Sequence, residues 1–477
     1  MISAIALDLG STSIKAGLLD SGGALDNIVA EPAPKITASG GRYESDALIY
    51  VQIAERVLAE CLAQTGDSPP LGLCSQRSSF LIWERASGSP LTPLISWQDN
   101  RGAASCDELR GSEAMIRDLS GLRLTPYYFA PKLRVVLREH PEWRTRLERG
   151  ELLLGTLDTF LIWRWTGGRH HVTDVSMAAR TLLMDIGQQR WAPALCDLFG
   201  IPPTMLPEIK PSANLNLPLM KPLAIRLGHQ KTIAKSLVMN NGLILQASVG
   251  DQSAALISSV GDSRSEVLVN LGTGGFVIRY LDEGEKAQGG YLRTLVYQDK
   301  HTHVAVEGTL NSLAAALAPY PAAECRSEEL AMGNIYCLAE PSGLGAPYFR
   351  NDIGLRFSES VEHLAPRQIA CLLLEGVIFR VARILEDMQR ASPVERVYLS
   401  GGLSELLCLQ QGIALCAPCD VYRLKQKNSS LQGAALLAAG MASPCNREAE
   451  RIAVTRSALP EKYRRWKAWL DGLLDLP

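Results

Sequence analysis

The chain has 477 residues, 47% of them hydrophobic and 21% charged, with a formal net charge of −2. That length exceeds what a single core sustains, so two domains of roughly 240 residues each are expected. The near-neutral balance argues against a bulk electrostatic role on nucleic acid or an anionic membrane, and no stretch has the apolar length of a spanning helix. The opening MISAIALDLG lacks a basic flank and carries Asp8 inside its apolar run, unlike a signal peptide. Eleven scattered cysteines form no disulfide framework. Cys416 and Cys419 have CxxC spacing but follow an apolar helix instead of opening one, so they read as ordinary thiols. A reducing, cytoplasmic setting is expected.

Strand signals at 4–9 and 14–19 enclose the turn Asp8-Leu9-Gly10-Ser11-Thr12. A helix is predicted near 46–63, where Leu48, Val51, Ala54, Val57, Leu58 and Cys61 recur mostly at three- and four-residue steps. Strands are predicted at 71–75 and 80–83. The stretch 187–245, rich in Pro, Asn and Lys, reads as a winding approach to a second domain. The boundary is placed near residue 246, giving domains 1–245 and 246–477. Next, Ile244 to Val249 is a β-like run leading through Gly250 to Asp251, with a helix expected from Gln252. Residues 265–278, SEVLVNLGTGGFVI, then repeat the first hairpin: Asn270-Leu271-Gly272-Thr273-Gly274 matches Asp8 to Thr12. The clearest helix spans 366–390, with Pro366 in its first turn and an apolar stripe from Ile369 to Met388. A strand at Val397-Tyr398-Leu399 runs into Ser400-Gly401-Gly402. The helix Ser430 to Ala439 is rich in small residues and is expected to pack closely. Strands and helices alternate through both halves, which points to a layered α/β architecture.

The duplicated turn is the main chemical signal. Glycines let backbone approach a ligand, and free amides with Ser and Thr hydroxyls form an anion-binding nest. One Gly-rich hairpin is most often only a turn, and Asp251 alone is equally a helix cap. Repetition shifts that balance toward two related domains gripping one phosphorylated ligand. Asp8, at the end of an apolar strand, repels phosphate directly but suits Mg²⁺ bridging phosphate oxygens. Trp97-Gln98-Asp99-Asn100-Arg101 offers a ring face with forked polar groups, a set suited to a polyhydroxylated ligand, or else an amphipathic helix start around a buried Trp. No Walker-type loop, strand-linked GxGxxG or Gly-x-Ser-x-Gly elbow occurs, and the seven histidines lack zinc-site companions.

In their order, these motifs resemble the FGGY carbohydrate kinases over nearly the whole chain. Within that family the text is most similar to the glycerol kinase branch: Gly155 to Trp163, His171 to Asp174, Leu206-Pro207-Glu208, Gly250 to Leu256, and Gly343-Leu344-Gly345-Ala346-Pro347-Tyr348. The resemblance implies duplicated actin/Hsp70-like (ribonuclease H-like) domains with a central inter-domain cleft where ATP and sugar meet. It implies Asp251 as catalytic base and Asp8 as the magnesium-linked acid. Gly10, Ser11, Thr12 and Ser13 match the first phosphate loop and Gly272-Thr273-Gly274 the second. Gly308 falls where a family glycine lines the nucleotide site, and Gly401-Gly402 match the adenosine motif. Arg77, Trp97, Tyr127, Gln252 and Phe276 fall on polyol-contacting positions.

Departures from the branch concentrate at the acceptor site. Ser78 stands where a glutamate follows the arginine, a change that weakens glycerol binding or admits a bulkier substrate. Asp99 resembles the Trp-x-Asp of ketose kinases, and Pro131-Lys132-Leu133 also resembles other branches. Leu406 replaces an asparagine near the adenine, and Ala315 to Glu324 lacks the expected Gln-Trp. The expected activity is transfer of the ATP γ-phosphoryl, with Mg²⁺, to a hydroxyl of a small polyol or ketose; a homodimer is an admissible assembly. The rival reading is a non-catalytic ATP clamp or pseudokinase of the same fold. The intact Asp8, Asp251 and both loops weigh against it.

Overall fold

Two hairpins of the same plan begin the two halves of the computed structural model, which describes residues 2–66, 68–220, 242–282, 285, 287, 289–350, 352–425, 428–441 and 448–475. In the first, Ile2–Leu9 pairs antiparallel with Ser13–Asp20, setting Asp8 opposite Lys15. In the second, Glu266–Leu271 pairs with Gly275–Tyr280, setting Asn270 opposite Phe276.

Each hairpin sits in a sheet with one strand order. The first runs Ala213–Pro218, Ile244–Gly250, Leu71–Ser75, Ile2–Leu9, Ser13–Asp20, Leu25–Pro32. The second contains, in the same sense, Asp420–Leu424, Arg396–Ser400, Glu266–Leu271, Gly275–Tyr280 and Thr302–Leu310. In both, the hairpin's first strand has a parallel neighbour from far along the chain, and that strand has another. The duplication expected from the repeated turn is therefore present in the topology.

Parallel strands covered on both faces read as continuous apolar runs, which is why Ala4 to Leu7 are all buried. The helix Ala47–Leu62 packs on the first sheet, capped by Asp46, whose Oδ1 accepts from the Leu48 and Ile49 amides at 2.8 and 3.0 Å. Its Val57 and Leu58 are fully buried, each contributing about 1.5–3 kcal/mol by removal from water. Against the strands Ile2–Leu9 and Leu71–Ser75 lies Ser429–Ala439, the helix of small residues. A Cβ on Gly433 would come 1.8 Å from the Ala254 carbonyl, so this helix lies backbone against backbone on Asp251–Val260.

By compactness the chain forms one unit of Met1–Gly261, Thr294–Val304 and Asn428–Asn446, and a second of Asp262–Arg293, Ala305–Lys427 and Arg447–Pro477. The break expected near residue 246 thus falls inside Ile244–Gly250, which is locked by parallel pairing to Leu71–Ser75 of the first sheet. Asp251 accordingly belongs to the first unit, as does Ser429–Ala439. The stretch 187–245 also differs from a winding approach: it contributes the helix Pro193–Phe199 and the edge strand Ala213–Pro218, while 221–241 lie outside the described residues. A separate five-stranded sheet, in the order Thr37–Ser39, Arg42–Ser45, Leu94–Ile95, Phe80–Glu84, Leu152–Thr156, carries the loops around Arg77 and Trp97. Among the described residues no helix is long and apolar enough to cross a membrane.

Candidate functional site

Three parallel strands of the first unit end together: Asp8 is level with Cys74, and Cys74 with Val249, two residues before Asp251. Two carboxylates therefore share the carboxyl end of the sheet, the usual place for ligands in α/β sheets. Asp8 Oδ1 is buried without a hydrogen-bond partner among the described residues. Burial, then the charge of Asp251, lift the Asp8 carboxyl to about 7, against opposing pulls from the Cys74 thiol and Lys15. Burial also raises Asp251, opposed by Arg77, the Gln252 amide and Arg180. Asp251 opens the helix Asp251–Val260; the half-buried Gln252 donates its N–H to Asp251 Oδ1 at 2.7 Å, and Arg77 Nε lies 3.5 Å from that oxygen. Arg77 reaches this point across Gly250, where a Cβ would meet Arg77 Cδ at 2.8 Å. The strand end is pinned from the other side, since the Gly250 amide donates to Ser176 Oγ, which donates to Asp174.

Trp97 and Tyr127 are both half-buried, with ring centroids 5.6 Å apart in an edge-on arrangement. Ser78 is buried with φ of 64°, and its hydroxyl donates to the Arg180 carbonyl at 3.2 Å. Asp99, expected on the acceptor, has both carboxylate oxygens engaged by donors of the protein. Its Oδ1 accepts from the Arg101 amide and Nε, and its Oδ2 from the Tyr43 amide and Arg101 Nη2, while Arg101 also pairs with Glu44. Burial would raise this carboxyl, but those donors hold it below its ordinary value. Asp99 is spent on shaping the turn behind Trp97.

At the turn of the first hairpin Gly10 is tight, a Cβ there meeting the Ser13 carbonyl at 2.8 Å, and Thr12 is exposed at the tip between half-buried Ser11 and Ser13. The matching turn in the second unit closes through the Gly272 amide to the Gly274 carbonyl at 2.8 Å, again with an exposed threonine, Thr273. Gly401 and Gly402 are exposed beside it. Gly401 has φ of 88°, open to glycine, and a Cβ there would strike the Leu271 carbonyl at 2.4 Å. The second unit thus brings Gly272-Thr273-Gly274 together with Gly401-Gly402. Phe276 is half-buried in the strand that follows, level with Thr309. Gly308, expected on the nucleotide, is buried, and a Cβ there would meet Ile384 of the helix Pro366–Ala391 at 2.7 Å, so close packing accounts for a glycine at this position.

The carboxylate pair suits a divalent cation. An orphaned buried oxygen and two mutually repelling carboxyls gain from a positive charge, and magnesium serving phosphates needs only one or two protein carboxylates. Among the described residues there is no cluster of three or more His, Cys, Asp or Glu of the kind that holds a metal alone. Cys416 and Cys419 are pushed up by burial to about 12 and about 11, as inert thiols are.

Sequence reasoning missed three contributors. Arg180, whose charge bears on Asp251, sits in no motif that marks it out. Lys132 is fully buried, and its Nζ donates to the Ser78 and Ser96 carbonyls at 2.8 and 2.9 Å, clamping the Arg77 and Trp97 loops; burial lowers it to about 7. Cys74, between the carboxylates, had no local signal.

Residues 3–256 match the family model described as the FGGY family of carbohydrate kinases, N-terminal domain, and residues 267–442 match its C-terminal domain. A glycerol kinase of Trichlorobacter lovleyi is 32% identical over 463 residues, covering 91% of this chain and 89% of that protein. Among solved structures, Plasmodium falciparum glycerol kinase with ADP superposes with a TM-score of 0.81 at 21% identity, covering 98% of each chain. A xylulose kinase from Brucella ovis gives 0.83 at 20% identity, covering 99% of each. Those two likenesses establish the architecture, the two-domain actin/Hsp70-like fold.

Proposed function

The chain belongs to the FGGY family of carbohydrate kinases, and from that premise we propose that it moves the terminal phosphoryl group of ATP onto a hydroxyl of a small polyol or ketose. The observation that carries this reading is the pair of desolvated carboxylates at adjoining strand ends, one with an orphaned oxygen and the other beside an arginine. Asp251, whose carboxyl burial raises above its ordinary value, is suited to accept the proton of the attacked hydroxyl. Arg77 orients that carboxylate and offers donors to neighbouring hydroxyls. The Trp97 and Tyr127 rings take the C–H face of the acceptor. Asp8 would hold magnesium, which when bound supplies charge neutralisation of the phosphates. Gly10 to Ser13 and Gly272 to Gly274 act as phosphate grips, and Gly401-Gly402 serve the adenosine. Phosphoryl transfer has a loose transition state, so positioning and charge neutralisation outweigh the base.

The hydroxyl of Ser78 donates its proton to the Arg180 carbonyl, so it keeps only neutral lone pairs for an acceptor's hydroxyls, a weaker partner than the carboxylate of the branch's glutamate. We therefore infer that the preferred acceptor is longer than glycerol. The test is ADP release at fixed Mg-ATP across glycerol, C4–C6 polyols and ketoses. The reading expects release that depends on one acceptor class, fastest with a four- to six-carbon compound. Slow ATP hydrolysis indifferent to every acceptor would instead mark a nucleotide clamp.

A further inference from the structure

Four hydrogen bonds form one unbroken line through the first unit, from the Trp97 loop to the first phosphate turn. The Trp97 amide donates to Ser79 Oγ at 2.9 Å, and the Ser79 hydroxyl donates to Gln76 Oε1 at 2.9 Å. Gln76 Nε2 donates to Tyr50 Oη at 2.9 Å, and the Tyr50 hydroxyl donates to the Gly10 carbonyl at 3.1 Å. Tyr50, Gln76 and Ser79 are 1%, 3% and 0% exposed, so no water competes for these groups.

The direction of the line is determined by chemistry. A backbone amide only donates and a carbonyl only accepts, which leaves each group between them a single orientation. Turning the Gln76 amide over would claim the Tyr50 proton and strip it from the Gly10 carbonyl. A buried chain polarised one way strengthens cooperatively, and a break anywhere leaves a desolvated group unpaired.

Both ends of the line are peptide planes. Because a trans peptide holds C=O and N–H opposed, fixing the Gly10 carbonyl also fixes the direction of the Ser11 amide. At the other end the Ser96–Trp97 plane is held twice, by Ser79 on its N–H and by Lys132 on its carbonyl. The line thus joins an amide of the phosphate turn to the backbone that carries the acceptor-facing ring.

We propose that Tyr50 is a positioning residue that couples the Gly10 turn to Trp97, so that nucleotide and acceptor each raise affinity for the other. This rests on the kinase reading above. Linkage requires the coupling factor to be the same in both directions.

The experiment measures binding of glycerol, xylitol and xylulose to the full chain by calorimetry, with and without Mg²⁺ and a non-hydrolysable ATP analogue. In the unaltered protein the analogue should tighten the best of these probes about fivefold or more. In Tyr50→Phe, which deletes only the hydroxyl, the factor should fall below about twofold with the protein still folded by its melting curve. Ser79→Ala breaks the line in the middle, carries the same expectation if Tyr50→Phe folds poorly, and should add no further loss in the double variant. A merely structural role would lower melting temperature and leave the factor intact. Retained coupling in either folded variant, additive losses in the double, or no coupling in the unaltered protein overturns the proposal. If the unaltered protein phosphorylates an acceptor while Tyr50→Phe keeps its coupling, this inference alone fails. If no acceptor stimulates ADP release, the kinase reading fails and takes the inference with it.

Discussion

Replacing Asp8 with asparagine removes a carboxyl whose ionisation the folded protein resists. Burial first, and Asp251 second, lift Asp8 from 3.8 to about 7. Between those values the folded state binds more protons than the unfolded chain, so stability falls as pH rises. The contribution is whole below 3.8 and spent above about 7. At about 1.4 kcal/mol per pKa unit the full cost is about 4 kcal/mol. Roughly 2–3 kcal/mol of it falls between about pH 5 and 8.5, after discounting for solvent reaching the half-buried group. Without magnesium or nucleotide, Asp8→Asn should therefore gain on the unaltered protein by about 2–5 °C in melting temperature across that interval. Turnover of the same variant should collapse by about 10²-fold or more, since charge at the phosphates goes unneutralised. Magnesium with nucleotide should raise the melting temperature of the unaltered protein at high pH and do far less for Asp8→Asn. Parallel melting curves for the two proteins across pH would refute the reasoning, because they would mean that Asp8 ionises freely in the fold.

Asp251→Asn should lower turnover by about 10²–10⁴-fold with nucleotide binding preserved in calorimetry; unchanged turnover removes Asp251 from its role. Trp97→Ala should raise the acceptor KM about tenfold, the loss of an aromatic face worth about 1.4 kcal/mol, and leave the ATP KM within about twofold. Gly433→Val should cost more than about 3 kcal/mol in denaturant unfolding, because its Cβ has no room beside the Ala254 carbonyl. Asp174→Ala, which strips the acceptor from Ser176, Met177 and Ser212, should destabilise the unit by about 3 kcal/mol or more and reduce turnover by shifting the strand that ends at Gly250.

Local chemistry was legible in the sequence, and distant partnership was not. The two hairpins could be read because a Gly-Ser-Thr turn between β-rich runs is a short-range pattern, and Pro366 and the apolar stripe after it marked the longest helix. The domain boundary could not be read the same way. Ile244–Gly250 belongs to the first sheet through pairing with Leu71–Ser75, a partner far away in the chain with no local mark. Small residues in Ser429–Ala439 foretold close packing but not the surface packed against. Among candidate site residues, Asp99 and Gly308 show where pattern stops short. A carboxylate beside a tryptophan looks available until Arg101 folds back onto it. A glycine looks like a ligand contact until Ile384 takes its open side. Pro131-Lys132-Leu133 marked a branch but not a role for Lys132, and Tyr50 carries no motif, because the value of both lies in carbonyls supplied by other segments.

The central claim is that Asp251 and the paired turns serve transfer of a phosphoryl group to a carbon-bound hydroxyl. Phosphorus NMR of the protein incubated with Mg-ATP and the polyol and ketose panel tests it directly. The account predicts a phosphomonoester of one acceptor appearing in step with ADP, and no such signal from Asp251→Asn. Inorganic phosphate as the sole product with every acceptor would contradict it.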